Sequence, residues 1–362
     1  MSVLNIILLS FSALAALDRI FGSRLGLGKE FDRAFHLIGT MVLSMIGMIV
    51  LAPALGAWLS PYFEIFYSVL RIDPSVIPAS IFANDMGGAS LSLEIAKSGK
   101  VGAFNAYVVS SMMGCVISFT IPFASGVVAQ EQHKDMFLGF LYGIVTIPIG
   151  CAVSGFLCGL TPLEVLLTLL PLIVISAVIA VGLILARDLS VRIFGIFGKA
   201  MGVMITVGLV LSLIGYRLGD PILPDLDTLQ TGADICLSAA VTLSGAFPLM
   251  HVVGKLLHRP MSALGRRLGI NGTAALTLIP TLVTSATAFG MMRDMDRKGA
   301  VLNSAFAVSA AFVFGSHLGF TMAFDEAYVL PMVIGKLTAG ICALLLTLLL
   351  YKEQPSRSAA SA

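Results

Sequence analysis

The residue in this chain best suited to chemistry is a carboxylate set inside an apolar stretch. Asp85 lies in Ile77-Pro-Ala-Ser-Ile-Phe-Ala-Asn-Asp-Met-Gly-Gly-Ala-Ser-Leu-Ser-Leu-Glu94, just ahead of Gly87-Gly88, a hinge that lets the backbone turn sharply. Ionisable groups at membrane depth mark functional sites by default, and broken helices offer their free backbone groups to ligands. Asp85 is therefore expected at a hairpin tip, pairing with a small cation, with Asn84 beside it, in preference to a role as a surface loop residue or helix N-cap. Glu94 lies close to Lys97 and Lys100 and is expected at a solvated hairpin end, as a second-rank candidate.

A second polar run, Thr281-Leu-Val-Thr-Ser-Ala-Thr-Ala-Phe289, offers hydroxyls in place of charge. Thr284 and Ser285 could bond an ammonium or an alcohol, although Ser and Thr also pack helices together in membranes. Asn105 and Asn303 open the helices that follow the two runs. A buried amide is costly in hydrocarbon unless bonded, so each is expected to brace a hairpin or reach the substrate, with bracing preferred. His317, in Phe314-Gly-Ser-His-Leu-Gly-Phe320, is a second-rank candidate that could relay a proton, although it is expected in preference to be an interfacial residue ending a helix on the outer side. His251 is expected to be a satisfied core residue. Lys336 is a second-rank candidate that could snorkel or pair with a carboxylate.

The elements that must hold these residues follow from composition. The chain has 362 residues, 57% hydrophobic and 12% charged, well away from the soluble norm of about 45–50% apolar and about 25% charged. Stretches near the roughly 20 residues needed to cross a bilayer recur along it. Spanning helices are expected at about 3–21, 34–60, 101–123, 136–159, 163–186, 194–216, 232–256, 299–321 and 326–351. Segments 75–97 and 271–292 are near spanning length but too polar for lipid. If both dip in and return, most of the 22 Lys and Arg fall on one side, including Arg19, Arg24, Lys29, Arg33, Arg187, Arg192, Arg266, Arg267, Lys352 and Arg357. That side is the cytoplasm by the positive-inside rule. The expected architecture is thus an all-α polytopic membrane protein of about nine spans and two re-entrant hairpins, N-terminus outside and C-terminus cytoplasmic. The first segment is followed by its basic residues, unlike a signal peptide, and is expected to be retained.

A weak internal repeat, about 31–123 and 228–321, fits this plan. A shift of 198 residues aligns Ile72 with Ile270, Ile81 with Ile279, Lys100 with Lys298, Asn105 with Asn303 and Ser111 with Ser309. Each copy runs through a spanning helix, an amphipathic stretch (Tyr62–Arg71; Met261–Leu268), a polar hairpin and a helix opening near an asparagine. Separated by an odd number of spans, the copies would face opposite ways, as in many secondary transporters.

Other functions fare worse. A net charge of +2 is too small for nucleic-acid binding. The five cysteines lie in apolar segments with no C-x-x-C pair, so neither metal nor cofactor is expected. No H-E-x-x-H or G-x-S-x-G arrangement suggests an enzyme. Met291-Met-Arg-Asp-Met-Asp-Arg-Lys298 is expected to be a solvated turn, and the glycosylation pattern Asn271-Gly-Thr273 would lie on the cytoplasmic side.

Several strings carry a resemblance. Asp85-Met-Gly-Gly88, Gly143-Ile-Val-Thr-Ile-Pro-Ile-Gly-Cys151, Gly290-Met-Met292, Asn303-Ser-Ala-Phe-Ala-Val-Ser-Ala-Ala-Phe312, His317-Leu-Gly-Phe320 and Gly335-Lys336 are similar to the bacterial ethanolamine permease family of the ethanolamine-utilisation system, from the first helix to the last. The resemblance implies a cytoplasmic (inner) membrane carrier that takes up ethanolamine, with Asp85 as ammonium partner. The chain departs from the family where Thr284-Ser285 replaces an expected pair of asparagines and Ser316 an expected aspartate, which would suit a related small amine. The alternative is a cation/proton antiporter. Coupling to Na⁺ or H⁺, facilitated diffusion and homo-oligomerisation all stay open.

Overall fold

The computed structural model describes residues 2–351, in which all regular structure is helical. Lys352 and Arg357 lie outside the described residues. α1, Val3–Ile20, starts on Ser2, whose hydroxyl accepts from the Asn5 amide. α2, Leu27–Met41, passes through a π-turn at Val42–Ile46 into α3, Gly47–Leu70. α4, Val76–Ile81, and α5, Gly88–Ile95, flank a 3₁₀ turn at Asn84–Met86. α6, Gly99–Phe104, continues as π-helix over Asn105–Gly114 and Val116–Thr120 into α7, Ile121–Val127. Four long helices follow: α8, His133–Leu157; α9, Pro162–Leu185; α10, Arg187–Leu218; and α11, Leu229–Leu268. α12, Gly272–Thr281, and α13, Ser285–Gly290, form a second short pair. The chain closes with α14, Arg297–Ala310, α15, Ser316–Phe324, and α16, Val329–Leu350.

Eight helices among the described residues are long and apolar enough to cross a membrane. The chain is an all-α polytopic membrane protein. The segment expected as a ninth continuous span, 299–321, is instead interrupted between α14 and α15. Phe312 takes a left-handed φ of 64°, and the freed backbone finds a partner elsewhere: the Phe314 amide donates to the Leu282 carbonyl at 2.9 Å. Irregular backbone inside a membrane requires that substitution of partners. The amphipathic stretches Tyr62–Arg71 and Met261–Leu268 largely form the ends of α3 and α11, because Pro61 and Pro260 sit within those helices and do not end them.

Close packing rests on small residues, as it must where lipid supplies no hydrophobic drive between helices. A side chain at Gly150 would strike the Gly335 carbonyl, and side chains at Gly139 and Gly143 would strike carbonyls of Val301 and Ala305. These contacts draw α8, α14 and α16 into one tight unit. Ser154 and Thr146 reinforce it by donating to the Pro331 and Ala339 carbonyls at 2.8 and 3.1 Å. By contrast α9 is only 28% buried over its apolar window and presents Leu166, Leu170, Ile173 and Val178 outward, the surface expected toward acyl chains.

Each short helical pair returns to its starting point, where a carboxylate clasps both ends. Buried Asp73 accepts from the Ser75 amide and hydroxyl at 3.0 and 2.6 Å and from the Lys97 and Ser98 amides at 3.0 and 2.8 Å. Asp296 accepts from the Asn271 amide at 2.7 Å and the Gly299 amide at 3.2 Å. Asn271 is a structural cap: its side chain accepts from the Ala274 amide at 2.9 Å.

Candidate functional site

Gly87 makes the turn of the first hairpin possible. Its φ of 96° suits glycine, and a side chain at Gly88 would strike the Phe82 and Ala83 carbonyls. The tip is fastened to the next helix by the Ala83 amide, which donates to the Ser118 hydroxyl at 2.9 Å. Asn84, fully buried, accepts from the Asp85 amide at 2.9 Å and donates toward the Thr321 hydroxyl at 3.4 Å. Asn84 thus orients the tip, and the Asp85 side chain, 18% exposed, faces a cavity of about 280 Å³.

The cavity is where separate parts of the chain meet. Asp85 and Met86 come from the first hairpin, Val283 and Thr284 from the second, Phe312, Ser316 and His317 from the interrupted helix, and Cys115 and Phe119 from the π-helical segment. Ser316 lines the cavity together with Asp85. His317 Nε2 lies 4.0 Å from Asp85 Oδ1, beyond a hydrogen bond, and its Nδ1 has no partner among the described residues. His317 is 1% exposed and opens α15. The expectation that it ends a helix at the interface is therefore corrected: the break at Phe312 turns the chain inward and delivers the imidazole to the carboxylate.

A second cavity of about 370 Å³ adjoins the first and shares Arg33, Phe247, Val283 and Thr284 with it. Arg33 lies over the Phe247 ring at 5.1 Å and bonds Glu30 at 3.2 Å. His251, expected as a satisfied core residue, lines this outer chamber with Nδ1 3.9 Å from Glu30 and Nε2 without a partner among the described residues. Exposed Lys255 and His258 mark its mouth, at the end of the molecule that carries Arg24, Lys29 and Arg259. Arg33 and Phe247 thus stand between the mouth and Asp85. Sequence reading missed both, since an arginine near a helix start and a phenylalanine in an apolar run carry no distinguishing pattern.

The other expected site residues fall outside the cavity. Asn105 Nδ2 donates to the Ser75 hydroxyl at 2.8 Å, and Asn303 Nδ2 donates to the Ala274 and Gly299 carbonyls at 2.9 and 3.0 Å. Both brace the hairpins. Ser285 is buried behind the tip with its hydroxyl unpartnered among the described residues. Glu94 is exposed at the end of α5, against Gly56 of α3. Lys336 is 1% exposed and donates to the Ser111 carbonyl at 2.5 Å.

A sequence profile of the ethanolamine utilisation protein EutH matches residues 1–350. The chain belongs to the EutH family. It is 40% identical over 333 residues, 92% of its length and 89% of the other's, to a probable ethanolamine permease EutH of Listeria monocytogenes serotype 1/2a. A probable ethanolamine permease EutH of Salmonella typhimurium is 33% identical over 390 residues, covering 97% of this chain and 95% of that one. An uncharacterized protein YxeR of Bacillus subtilis is 38% identical over 337 residues, 93% and 91% of the two chains. No solved structure matches. Membership of the EutH family makes this a transmembrane transport protein and not an enzyme.

Proposed function

We propose that the protein carries ethanolamine, or a closely related small amine, across the bacterial cytoplasmic membrane, with Asp85 as the partner of the ammonium group. The observation that carries this reading is the placing of Asp85, the one carboxylate among the residues that line the cavity, at a broken-helix tip, with hydroxyls and apolar side chains around it and Arg33 and His317 also in the lining. An ammonium ion leaves water only if its hydration is replaced, and Asp85, Ser316 and Thr284 offer charge and hydroxyl partners. The two clasped hairpins are re-entrant elements of two inverted repeats, about 31–123 and 228–321, in a frame of nine crossings whose ninth is the interrupted α14–α15. The basic mouth is cytoplasmic, the N-terminus outside and the C-terminus inside. In this state the site opens inward past Arg33 and Phe247, and alternating access follows from movement of the hairpin-bearing parts.

Two of the three departures from the family pattern, Thr284 and Ser316, line the cavity, which favours altered selectivity among small amines. The test is uptake of labelled ethanolamine by proteoliposomes, with ethanolamine, propanolamine and choline as competitors. Saturable uptake blocked by ethanolamine is expected. Sodium flux driven by a pH gradient without any amine would replace this reading with an antiporter.

A further inference from the structure

Arg33 stands between two carboxylates. α2 turns one face to both chambers: Glu30 and Arg33 line the outer one, and Arg33, Leu37 and Thr40 line the inner one, at the spacing of successive helical turns. Among the described residues Glu30 is the one carboxylate lining the outer chamber, and Asp85 is the one lining the inner. Arg33 belongs to both walls, and its side chain is half-exposed.

Two contacts decide which way its guanidinium faces. It bonds Glu30 at 3.2 Å and lies 5.1 Å from the centroid of the Phe247 ring. Helical side chains lean toward the N-terminus of their helix, which favours Glu30, one turn earlier. His251 Nδ1 lies 3.9 Å from the other Glu30 oxygen. Pairs one turn apart on a helix and exposed cation–π contacts are each weak alone. The attraction of the inner chamber is stronger in kind. A guanidinium can meet a carboxylate with two parallel hydrogen bonds, a match that an ammonium cannot copy, and the attraction grows away from bulk water. An arginine released into the inner chamber is therefore a rival to any amine there.

Resting on the reading of Asp85 as the partner of the substrate's ammonium, we propose that Glu30 is a positioning residue for transport, a decoy carboxylate that holds Arg33 on the outer side and keeps Asp85 open to the amine. Without Glu30, Asp85 is the one carboxylate left on the walls of either chamber. Arg33 then turns into the inner chamber and competes with the amine for it. Glu30 acts through Arg33 and does not touch the substrate at Asp85. Its loss is thus a loss of affinity that leaves the turnover step intact.

The KM for ethanolamine in proteoliposome uptake, separated from the maximal rate, tests this. Glu30→Gln should raise KM about tenfold and keep the maximal rate within about threefold of wild type. Arg33→Gln should leave KM at or below the wild-type value, and the two changes together should return it to within about threefold of wild type. Lys255 lines the outer chamber and not the inner. Glu30→Gln with Lys255→Gln therefore restores the charge of the outer chamber without removing the rival, and KM should stay about tenfold high. Rescue by Lys255→Gln as well would mean that chamber charge alone sets KM, and would overturn the proposal. So would an unchanged KM in Glu30→Gln, or a KM raised about tenfold in Arg33→Gln protein that is monodisperse in detergent. Wild-type protein without saturable ethanolamine uptake would overturn the substrate reading itself, and this inference with it.

Discussion

The two hairpins are held alike at the base and differ at the tip. At the base of each, one aspartate and one asparagine tie the ends together: Asp73 with Asn105, Asp296 with Asn303. At the first tip sits a carboxylate, and the helix it rests on remains continuous by widening into π-geometry. The second tip carries hydroxyls only, and the helix it rests on is interrupted, with Phe314 bonded to Leu282 across the gap. The interruption brings Ser316 and His317 into the cavity that holds the carboxylate of the other hairpin, His317 Nε2 lying 4.0 Å from it. One hairpin therefore supplies the charge, and the break beside the other supplies the groups that surround it. Two elements clasped alike at the base thus bring different groups to one cavity.

That division can be broken at its strongest point first. Asp85→Asn should lower ethanolamine uptake about 30- to 100-fold, since losing one partner of a desolvated charge pair costs about 2–3 kcal/mol or more. Wild-type rates in this variant would remove Asp85 from the mechanism. Next come the glycines on which each tip rests. A side chain at Gly114 would strike the Phe82 and Ala79 carbonyls, and one at Gly315 the Val283 carbonyl, whereas Gly126 has open space. Gly114→Ala and Gly315→Ala should each cost about 2–4 kcal/mol of stability, read as a fall in the detergent melting temperature, with Gly126→Ala near neutral. A neutral Gly315→Ala would mean that the second tip does not press on the break.

The clasps sharpen the comparison further. Asp73 accepts four hydrogen bonds and Asp296 accepts two. Asp73→Asn should therefore destabilise by about 3 kcal/mol and Asp296→Asn by about 1–2, on a scale of about 1.5–3 kcal/mol for a hydrogen bond to a charged group. Thermal melts of the two variants side by side would test the order. Thr284→Ala should have the smallest effect, raising the KM for ethanolamine about threefold, because it removes one neutral hydroxyl and leaves the charge in place. A hundredfold loss would make the second hairpin an equal partner in binding.

Much of this could be read from residue types. The polar hairpins stood out because Asp85, Gly87 and Gly88, and then Thr284 and Ser285, interrupt segments that lipid would not tolerate. The bracing role of Asn105 and Asn303 followed from the cost of a buried amide. The break at Phe312 was hidden, since Ser309–Phe314 is as apolar as any helix and a left-handed phenylalanine is set by the hairpin pressing on it. His317 was misplaced for the same reason. The Asp73 and Asp296 clasps join residues about 25 positions apart, beyond the reach of local patterns. Arg33 and Phe247 come together only because α2 packs along α11, a fact of tertiary structure.

The lengths of the helices that lead into the hairpins matter in a further way. α11 has 40 residues, about 60 Å at 1.5 Å per residue, twice the roughly 30 Å of a bilayer's hydrocarbon core. Like the run from α2 to α3, it carries prolines inside a continuous helix, Pro248 and Pro260 here and Pro53 and Pro61 there. Helices this long must tilt or protrude, and their tilt follows the thickness of the lipid around them. Because both hairpins hang from their far ends, acyl-chain length becomes a control on the distance between the two tips, and transport should have an optimum in bilayers of one thickness.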